Sequence, residues 1–546
     1  MPSQWPRRTF LAMVGATAAA GAPPAFRRSG PAASGPVVAH TTAGPVAGVR
    51  TGGCAVFRGV PYAAAPVGAL RFASPRPPRP WRGVRDASRF APAFLQQGDD
   101  SSREDALYAN VWTPDPRGRR PVLVYIHGGG WQVGSGSLPT YDGARLAVRG
   151  DLVVVTFNYR LGPFGFGLHE ELLDAATGSC SNWGLQDQIA LLRWVRDNAA
   201  AFGGDPHNVT VCGTSAGGAS VWQLTLLPET RGLVRRAIPI SACHVWSPST
   251  AFTAADSRRA FETMAARLGT TVAGLRGLPA AAIRHEWERM FAGPPAEHAV
   301  ASGREYRGPL PDGRWMHDFD HRSPTPALPL MVVYTRTEGS FYTGPGSPIP
   351  SPAPTDDPSL RAAVRGVLDK GLVRVPEHLV DECVGAYRAA AVAGCLPDDP
   401  RSLWTEVWGD ALFRYPIVRL SERHARVGTT PQYVMEFAFP VRPPWFGTPH
   451  EATSPFLFGT CALPGNVAEF GDGPFQRRVS DAFIDLVASF ARTGTPSSGA
   501  TPRWPVFSPD RPSTLVLGEP GGPRVATTPK ARQLRFWDEI HWPPAP

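Results

Sequence analysis

Val209–Gly217 reads VTVCGTSAG, and Gly218–Val221 continues it with GASV. The opening run is apolar and rich in β-branched residues, which is typical of a buried strand. A G-x-S-x-G turn follows, and small residues then begin a helix. Strand, tight turn and helix together predict a nucleophile elbow, in which the turn lifts the hydroxyl of Ser215 above the edge of a sheet. The turn also aims the N–H group of Ala216 at the same place.

A second predicted strand, upstream of the elbow, ends in a glycine-rich turn. Val122–Ile126 has a buried-strand pattern, and His127–Trp131 reads HGGGW directly after it. A glycine cluster can be only a turn, but glycines also let the backbone approach a ligand and present bare N–H groups. Such groups are the hydrogen-bond donors of an oxyanion hole. We therefore expect Gly129, Gly130 and Ala216 to be the donors.

A carboxylate and a histidine follow the elbow along the chain. Leu328–Tyr334 is typical of another strand, and Glu338 comes shortly after it, where a carboxylate is well placed to orient a histidine. His450 comes later, just before Pro455–Gly459. Taken alone, such a glutamate is more often a solvated charge and such a histidine more often structural. The order nucleophile, acid, histidine nevertheless matches a known triad arrangement.

Segments along most of the chain resemble the type-B carboxylesterases, the esterase and lipase family that includes the cholinesterases. The resemblance runs from about Val37 to Trp537. The segments that carry it are Phe57–Ala63, Pro66–Phe72, Glu104–Val111, Asn158–Gly162, Asn182–Gln188 and Phe202–Pro206. It implies an α/β-hydrolase fold, with a mostly parallel central sheet flanked by helices and helical cap insertions. It also implies Glu338 as the triad acid and His450 as the base.

Departures from that family bear on the substrate. Members often carry Glu just before the nucleophile, where this chain has Thr214. The segment between Phe94 and Ala106 is short and lacks the two cysteines that usually form a disulfide there. In cholinesterases this loop carries the tryptophan that binds choline, and no equivalent Trp is present here. We therefore do not expect choline esters to be the substrates.

The wider pattern predicts strands that alternate with helices, which favours a mostly parallel sheet covered on both faces. Strand-like runs are Val122–Ile126, Leu152–Tyr159, Val209–Cys212, Ala237–Ser241 and Gln432–Phe439. Apolar residues spaced by three and four predict one helix over Leu185–Phe202 and a late one over Val479–Phe490. Residues 246–327 and 345–430 are less regular and helix-prone, and we expect them to form a cap over the active site.

The N-terminus resembles an export signal. Arg7-Arg8 precedes a mildly apolar stretch of small residues, as in a bacterial twin-arginine signal peptide, here over residues 1–25. The alternative is a disordered N-terminus with a chance arginine pair. We expect residues 26–36 to form a flexible tail before a catalytic domain at 37–546. We therefore expect a secreted monomer without stable membrane insertion.

The number of cysteines and the net charge limit the disulfides and the binding partners that we expect. The chain has 7 cysteines, so at least one is free in a monomer. Cys383 with Cys395 is the only pair that we would test for a disulfide. The net charge of +9 comes almost entirely from scattered arginines, and no basic run indicates nucleic-acid binding.

These observations predict a serine carboxylesterase that hydrolyses small-molecule esters through an acyl-enzyme on Ser215, without metal or cofactor. An acyltransferase or cyclase remains open, because it would share the covalent step. An inactive cholinesterase-like binding protein is the other alternative, and the intact Ser215, Glu338 and His450 argue against it. We expect Trp131 and Phe341 to line the substrate pocket, since each lies beside a catalytic motif.

Overall fold

The computed structural model of this protein describes residues 36–292, 298, 300, 306–344, 353–370 and 375–542. Within these ranges, 13 strands form one sheet. The strands are β1 Val37–Thr41, β2 Gly44–Thr51, β3 Cys54–Pro61, β4 Arg85–Asp86, β5 Tyr108–Thr113, β6 Arg120–Ile126, β7 Val153–Phe157, β8 Gly204–Thr214, β9 Arg236–Ile240, β10 Leu330–Thr335, β11 Gln432–Phe437, β12 Ser513–Leu517 and β13 Arg524–Thr527.

Helices lie between and after these strands. They are α1 Ala144–Gly150, α2 Gly162–Gly165, α3 Trp183–Asn198, α4 Ala216–Leu226, α5 Ala254–Arg267, α6 Ala280–Met290, α7 Ser340–Thr343, α8 Asp357–Leu368, α9 Glu377–Ala393, α10 Pro400–Gly409, α11 Tyr415–Val427, α12 Thr453–Phe458, α13 Pro464–Phe470, α14 Pro474–Thr493 and α15 Ala531–Glu539. A π-helical turn, Asp410–Arg414, joins α10 directly to α11.

The middle of the sheet is parallel and its margins are antiparallel. The spatial order is β1-β2-β3-β5-β7-β6-β8-β9-β10-β11-β12-β13, with β4 beside β2. Every neighbouring pair from β7 to β12 in that order is parallel. The prediction of a mostly parallel sheet flanked by helices is therefore confirmed. Because the strands run the same way, the residues that follow β6, β8, β9 and β10 meet at one edge of the sheet.

Both faces of the sheet are covered by apolar packing. Side chains alternate along β6: Val122 and Val124 belong to the core that includes α3, whereas Leu123 and Tyr125 belong to the core that includes α14. A strand buried on both faces reads as a continuous apolar run because successive side chains point to opposite faces. The run Val122–Ile126 shows this pattern.

Two buried ion pairs join segments that carry the family resemblance. Arg71 and Glu104 form two hydrogen bonds of 2.6 and 2.7 Å. Arg160 and Asp187 do the same at 2.8 and 2.7 Å, and both side chains are almost wholly buried. Paired guanidinium and carboxylate groups satisfy each other's hydrogen bonds where water is excluded. These ion pairs thus connect segments that are 33 and 27 residues apart in the sequence.

The predicted elements agree with the structure in kind and differ at their ends. The helix over Leu185–Phe202 is α3 followed by a 3₁₀ turn at Ala199–Phe202, and the late helix is α14. The expected cap ranges contain α5 and α6 in the first and α8 to α11 in the second. The expected export signal and tail lie outside the described residues, apart from residue 36.

The suggested disulfide between Cys383 and Cys395 is wrong, since both are free thiols. Cys383 is buried inside α9, whereas Cys395 is exposed beyond its C-terminal end. An α-helix rises about 1.5 Å per residue, so ten residues of helix already separate the two by about 15 Å. A disulfide needs Cα atoms roughly 4.4–6.8 Å apart.

Candidate active site

The nucleophile elbow is sterically strained at Ser215. This residue adopts φ 60° and ψ −124° between the end of β8 and the start of α4. Non-glycine residues rarely adopt positive φ, and such strain persists where neighbouring structure enforces it. Here the Ser215 N–H donates to Ile240 O at 2.9 Å, and its carbonyl accepts from Cys243 N at 3.3 Å. The last residue of β9 and the chain that follows it therefore hold the serine in this conformation.

Small residues around Ser215 are required by close backbone contacts. A Cβ atom at Gly217 would lie 2.0 Å from Ile126 O, and one at Gly213 would lie 2.7 Å from Gly217 O. No side chain fits at such distances. Glycine at these positions lets the start of α4 press against the end of β6, and so against the loop that follows β6.

The glycine loop after β6 abuts the elbow. A Cβ atom at Gly128 would lie 3.0 Å from the Cβ of Ser215. Gly129 and Gly130 have φ values of 107° and 60°, which few other residues adopt. Within the described residues, their N–H groups donate to no acceptor. Ala216 is the first residue of α4, and N–H groups in a first helical turn lack intrahelical partners. The loop that carries Gly129 and Gly130 thus borders Ser215 through Gly128, and Ala216 follows Ser215 directly.

Glu338 and His450 form a buried, hydrogen-bonded pair. His450 Nδ1 lies 2.5 Å from Glu338 Oε2, and the two side chains are only 1% exposed. The other carboxylate oxygen of Glu338 accepts from Ser241 Oγ at 2.8 Å and from the Thr335 N–H at 2.7 Å. Glu338 is thus held by three hydrogen bonds, and it fixes the orientation of the imidazole through Nδ1.

The serine side of His450 is open. Nε2 of His450 is buried and has no hydrogen-bond partner among the described residues. Ser215 Oγ instead lies 4.0 Å from the sulfur of Cys243. A buried ring nitrogen without a partner is unusual and calls for an explanation. An incoming hydroxyl, from Ser215 or from water, would satisfy it.

His127, which follows β6 at this edge, has a carbonyl and not a carboxylate as its partner. Its Nδ1 donates to its neighbour's carbonyl, Gly128 O, at 2.8 Å, and its ring stacks on Tyr159 at 4.4 Å between centroids. Burial lowers the pKa of His127 to about 4. A neutral imidazole packed under the glycine loop supports that loop and does not suit proton transfer near neutral pH.

Aromatic rings surround the imidazole of His450. Phe413 lies 4.4 Å, Tyr342 5.6 Å and Phe341 6.0 Å from it between ring centroids. Trp408 packs on Tyr342 at 4.2 Å. Phe341, Tyr342 and Trp408 are half-buried, so these rings form an apolar wall that is still partly open. Phe341 therefore lies where a pocket residue was predicted.

Trp131 does not line a pocket, and that prediction is wrong. Its side chain is 0% exposed, and its Nε1 donates to Ser220 Oγ at 3.2 Å. The ring also packs edge-on against Tyr306 at 6.1 Å. Trp131 has φ 59°, so the chain turns sharply there. Its ring consequently packs in the core beneath the glycine loop, although its backbone follows that loop directly.

A buried arginine supports the turn that carries Glu338. Arg414, in the π-helical turn, forms ion pairs with Asp410 at 3.0 Å and Glu436 at 2.9 Å. It also donates to the carbonyls of Thr335 and Arg336. Burial alone would raise the pKa of Glu436, but the Arg414 and Arg336 guanidiniums lower it below its usual range. The network fixes the chain between β10 and Glu338.

Sequence reasoning missed most of these supporting residues. Ser241 had a usable signal, because it ends a predicted strand next to the elbow strand and strand ends meet at one sheet edge. Phe413 and Arg414 gave no signal, since they lie within a helix-prone region whose position depends on tertiary packing. Among the described residues, no cluster of His, Cys, Asp or Glu suits a metal ion, and no helix has the length and apolar content to span a membrane.

Comparisons with known proteins show which family this chain belongs to. The model of the carboxylesterase family matches residues 35–537. Phenmedipham hydrolase of Pseudarthrobacter oxydans is 34% identical, with 89% of this chain and 95% of that protein covered. Para-nitrobenzyl esterase of Bacillus subtilis is 33% identical, with 88% and 94% covered.

Solved structures of two esterases are also similar to this chain. A para-nitrobenzyl (PNB) esterase superposes with a TM-score of 0.74 at 30% identity, covering 91% of this chain and 99% of that chain. A Geobacillus stearothermophilus carboxylesterase gives a TM-score of 0.75 at 30% identity, covering 92% and 99%. The family match spans nearly all of the described residues, and the open histidine and the strained serine lie within it. The chain belongs to the carboxylesterase family and is a carboxylic ester hydrolase.

Proposed function

We propose that this esterase works through an acyl-enzyme on Ser215. The observation that supports it most directly is the Glu338–His450 hydrogen bond of 2.5 Å, combined with an Nε2 on the same ring that no described residue contacts by a hydrogen bond. An imidazole fixed on one side by a carboxylate and open on the other is the arrangement of a general base that serves a neighbouring hydroxyl. Ser215 is that hydroxyl.

The proposed steps follow from the geometry. Ser215 Oγ attacks the ester carbonyl while His450 Nε2 takes its proton. Glu338 stabilises the imidazolium that forms. The N–H groups of Gly129, Gly130 and Ala216 donate to the oxyanion of the tetrahedral intermediate, and each such donor is worth roughly 3 kcal/mol. His450 then protonates the leaving alcohol, and water repeats the sequence on the acyl-enzyme.

The aromatic wall supports a neutral substrate that carries an aromatic or bulky apolar group. The rings of Phe341, Tyr342 and Trp408 are half-buried beside His450 and offer faces and edges for packing. Aromatic pairs add about 0.5–1.5 kcal/mol beyond the burial of their area. One relative, para-nitrobenzyl esterase, is named for a benzyl ester. We propose that such esters are the substrate class, with benzyl esters turned over faster than ethyl esters of the same acid.

A fluorophosphonate probe tests the mechanism. Peptide mass spectrometry of the labelled protein should find a single adduct on Ser215, because only that hydroxyl has an adjacent base and oxyanion donors. Ser215→Ala should lose both the adduct and the turnover of p-nitrophenyl butyrate. Ser220→Ala is a matched control, since Ser220 lies on the same helix and bonds only within the core. Turnover that survives Ser215→Ala would contradict the proposal. Adding alcohols to the same assay measures acyl transfer, the alternative fate of the acyl group.

A further inference from the structure

The proposed mechanism leaves one carboxylate at the site without a role. Glu451 follows His450 directly and is half-buried. A Cβ atom at Gly128 would lie 3.1 Å from Glu451 Oε1 and 3.0 Å from Ser215 Cβ. The carboxylate oxygen and the nucleophilic residue therefore occupy the same small space in front of Gly128.

Hydroxyl groups lie in a row between Glu451 and the residue that precedes the nucleophile. Ser454 Oγ donates to Glu451 Oε2 at 3.2 Å and lies 3.3 Å from the Tyr125 hydroxyl. Tyr125 in turn donates to Thr214 Oγ1 at 3.0 Å. The single protons of Ser454 and Tyr125 go to Glu451 and Thr214, so the contact between these two hydroxyls is not a hydrogen bond. The hydroxyls still lie in a row from the loop that holds His450 to the elbow, and the hydrogen bond from Ser454 holds the carboxylate at one end of that row.

The groups that shift the pKa of Glu451 indicate an electrostatic interaction with His450. Burial raises the pKa of Glu451, and the neighbouring Glu338 adds to that rise, whereas His450 and the Ser454 hydroxyl oppose it. The other titratable groups influenced by Glu451 are neutral near pH 7, namely Tyr125, Tyr141 and Cys243. The imidazole of His450 is therefore the nearby group that becomes cationic during the reaction and gains from a second carboxylate.

We propose that Glu451 is a positioning residue that stabilises the imidazolium of His450 during both the acylation and the deacylation steps. The inference rests on the proposed acyl-enzyme function. Positive charge appears on His450 each time it takes a proton from Ser215 or from water. A fixed carboxylate in a site that excludes water stabilises such a charge without having to reorient. Glu451 thereby supplements Glu338.

The decisive variant is Glu451→Gln, assayed with p-nitrophenyl butyrate from about pH 5 to about pH 8. Glutamine keeps the size of the side chain and an acceptor for Ser454 but removes the charge. We expect kcat to fall about tenfold near pH 8, with KM within about twofold of wild type. The ratio of wild-type to variant kcat should shrink as pH falls, because the wild-type carboxyl gains a proton there and loses the same charge.

Two further variants separate a charge effect from a structural one. Glu451→Asp keeps the charge but is too short to hold Ser454 in place. It should retain more activity than Glu451→Gln, whereas a purely structural role would impair it at least as much. Glu469→Gln is the matched control, because burial alone raises the pKa of this half-buried glutamate to about 7 and no catalytic group influences it. Its kcat should equal that of wild type.

The inference is overturned by wild-type kcat in Glu451→Gln, by a loss that does not change with pH, or by equal loss in Glu451→Asp. Should Glu451→Gln fail to fold, Glu451→Ala, which also removes the charge, carries the same comparison of kcat across pH, with Glu451→Asp as its charged counterpart. Ser215→Ala, measured alongside, keeps the two proposals apart. If Ser215→Ala is inactive and Glu451→Gln is normal, only the role of Glu451 fails. If Ser215→Ala turns over substrate, the acyl-enzyme itself fails.

Discussion

His450 is held tightly on one side and left open on the other. On the acid side, Nδ1 is 2.5 Å from Glu338, whose second oxygen accepts hydrogen bonds from Ser241 and the Thr335 N–H. On the serine side, Nε2 has no partner within the described residues, and Ser215 Oγ lies 4.0 Å from Cys243 Sγ. The protein alone thus orients the imidazole, and in the proposed mechanism the hydrogen bond between Ser215 and His450 forms with substrate. Catalytic hydrogen bonds often tighten only in the complex.

The largest expected effect comes from removing the shared imidazole. His450→Ala eliminates both ring nitrogens at once, the one that contacts Glu338 and the one proposed to serve Ser215. We therefore expect kcat to fall by at least about a thousandfold. His127→Ala removes a ring that only supports the glycine loop, and we expect a loss below about thirtyfold. Steady-state kinetics on p-nitrophenyl butyrate, with circular dichroism to check folding, measure both. A larger loss in His127→Ala than in His450→Ala would mean that the base has been misassigned.

A smaller effect is expected from loosening the acid side. Ser241→Ala removes one donor to Glu338, and hydrogen bonds to charged groups contribute about 1.5–3 kcal/mol. Since Thr335 still holds the same oxygen, we expect kcat to fall about tenfold with little change in KM. Ser247→Ala, in the segment that follows, is the control, because Ser247 bonds only to its own loop. Equal kcat in the two variants would show that Glu338 does not depend on Ser241.

The smallest effect, and the only expected gain, concerns the open side. Cys243→Ala removes the weak sulfur acceptor beside Ser215 Oγ, which leaves the hydroxyl free to turn toward His450. A contact worth about 0.5 kcal/mol corresponds to roughly a twofold rise in kcat/KM. Cys212→Ala, at a buried cysteine within β8, controls for the loss of a thiol near the elbow. A drop of more than about fivefold in Cys243→Ala alone would show that the sulfur holds the serine in its reactive orientation.

Sequence reasoning succeeded where structure is dictated locally. The elbow could be predicted because Gly213 and Gly217 meet backbone atoms at distances that exclude any side chain. The central strands could be predicted because burial on both faces leaves a continuous apolar run, as in β6 and β8. The pairing of Glu338 with His450 was different, since it depends on the resemblance to a family and on contacts between distant strands.

Failures occurred where a residue's neighbours are distant in sequence or where the backbone turns unexpectedly. Trp131 directly follows the glycine loop, yet its positive φ accompanies a ring packed in the core. Ser241 ends a predicted strand, but its bond to Glu338 spans 97 positions. The ring of Phe413 reaches His450 only because a π-helical turn sets its direction, and no local pattern indicates that turn.

That π-helical turn, Asp410–Arg414, gives the helix one more residue than regular α-helical winding would accommodate. Deleting a single residue there would restore regular winding and change the directions of the side chains within the turn, while the flanking helices would keep nearly the same orientation because the turn had absorbed the extra residue. A different side chain would then face the imidazole, while Ser215, Glu338 and His450 stayed unchanged. Changes of length in this helix, rather than substitutions, are therefore a direct evolutionary route to a new substrate preference on the same catalytic frame.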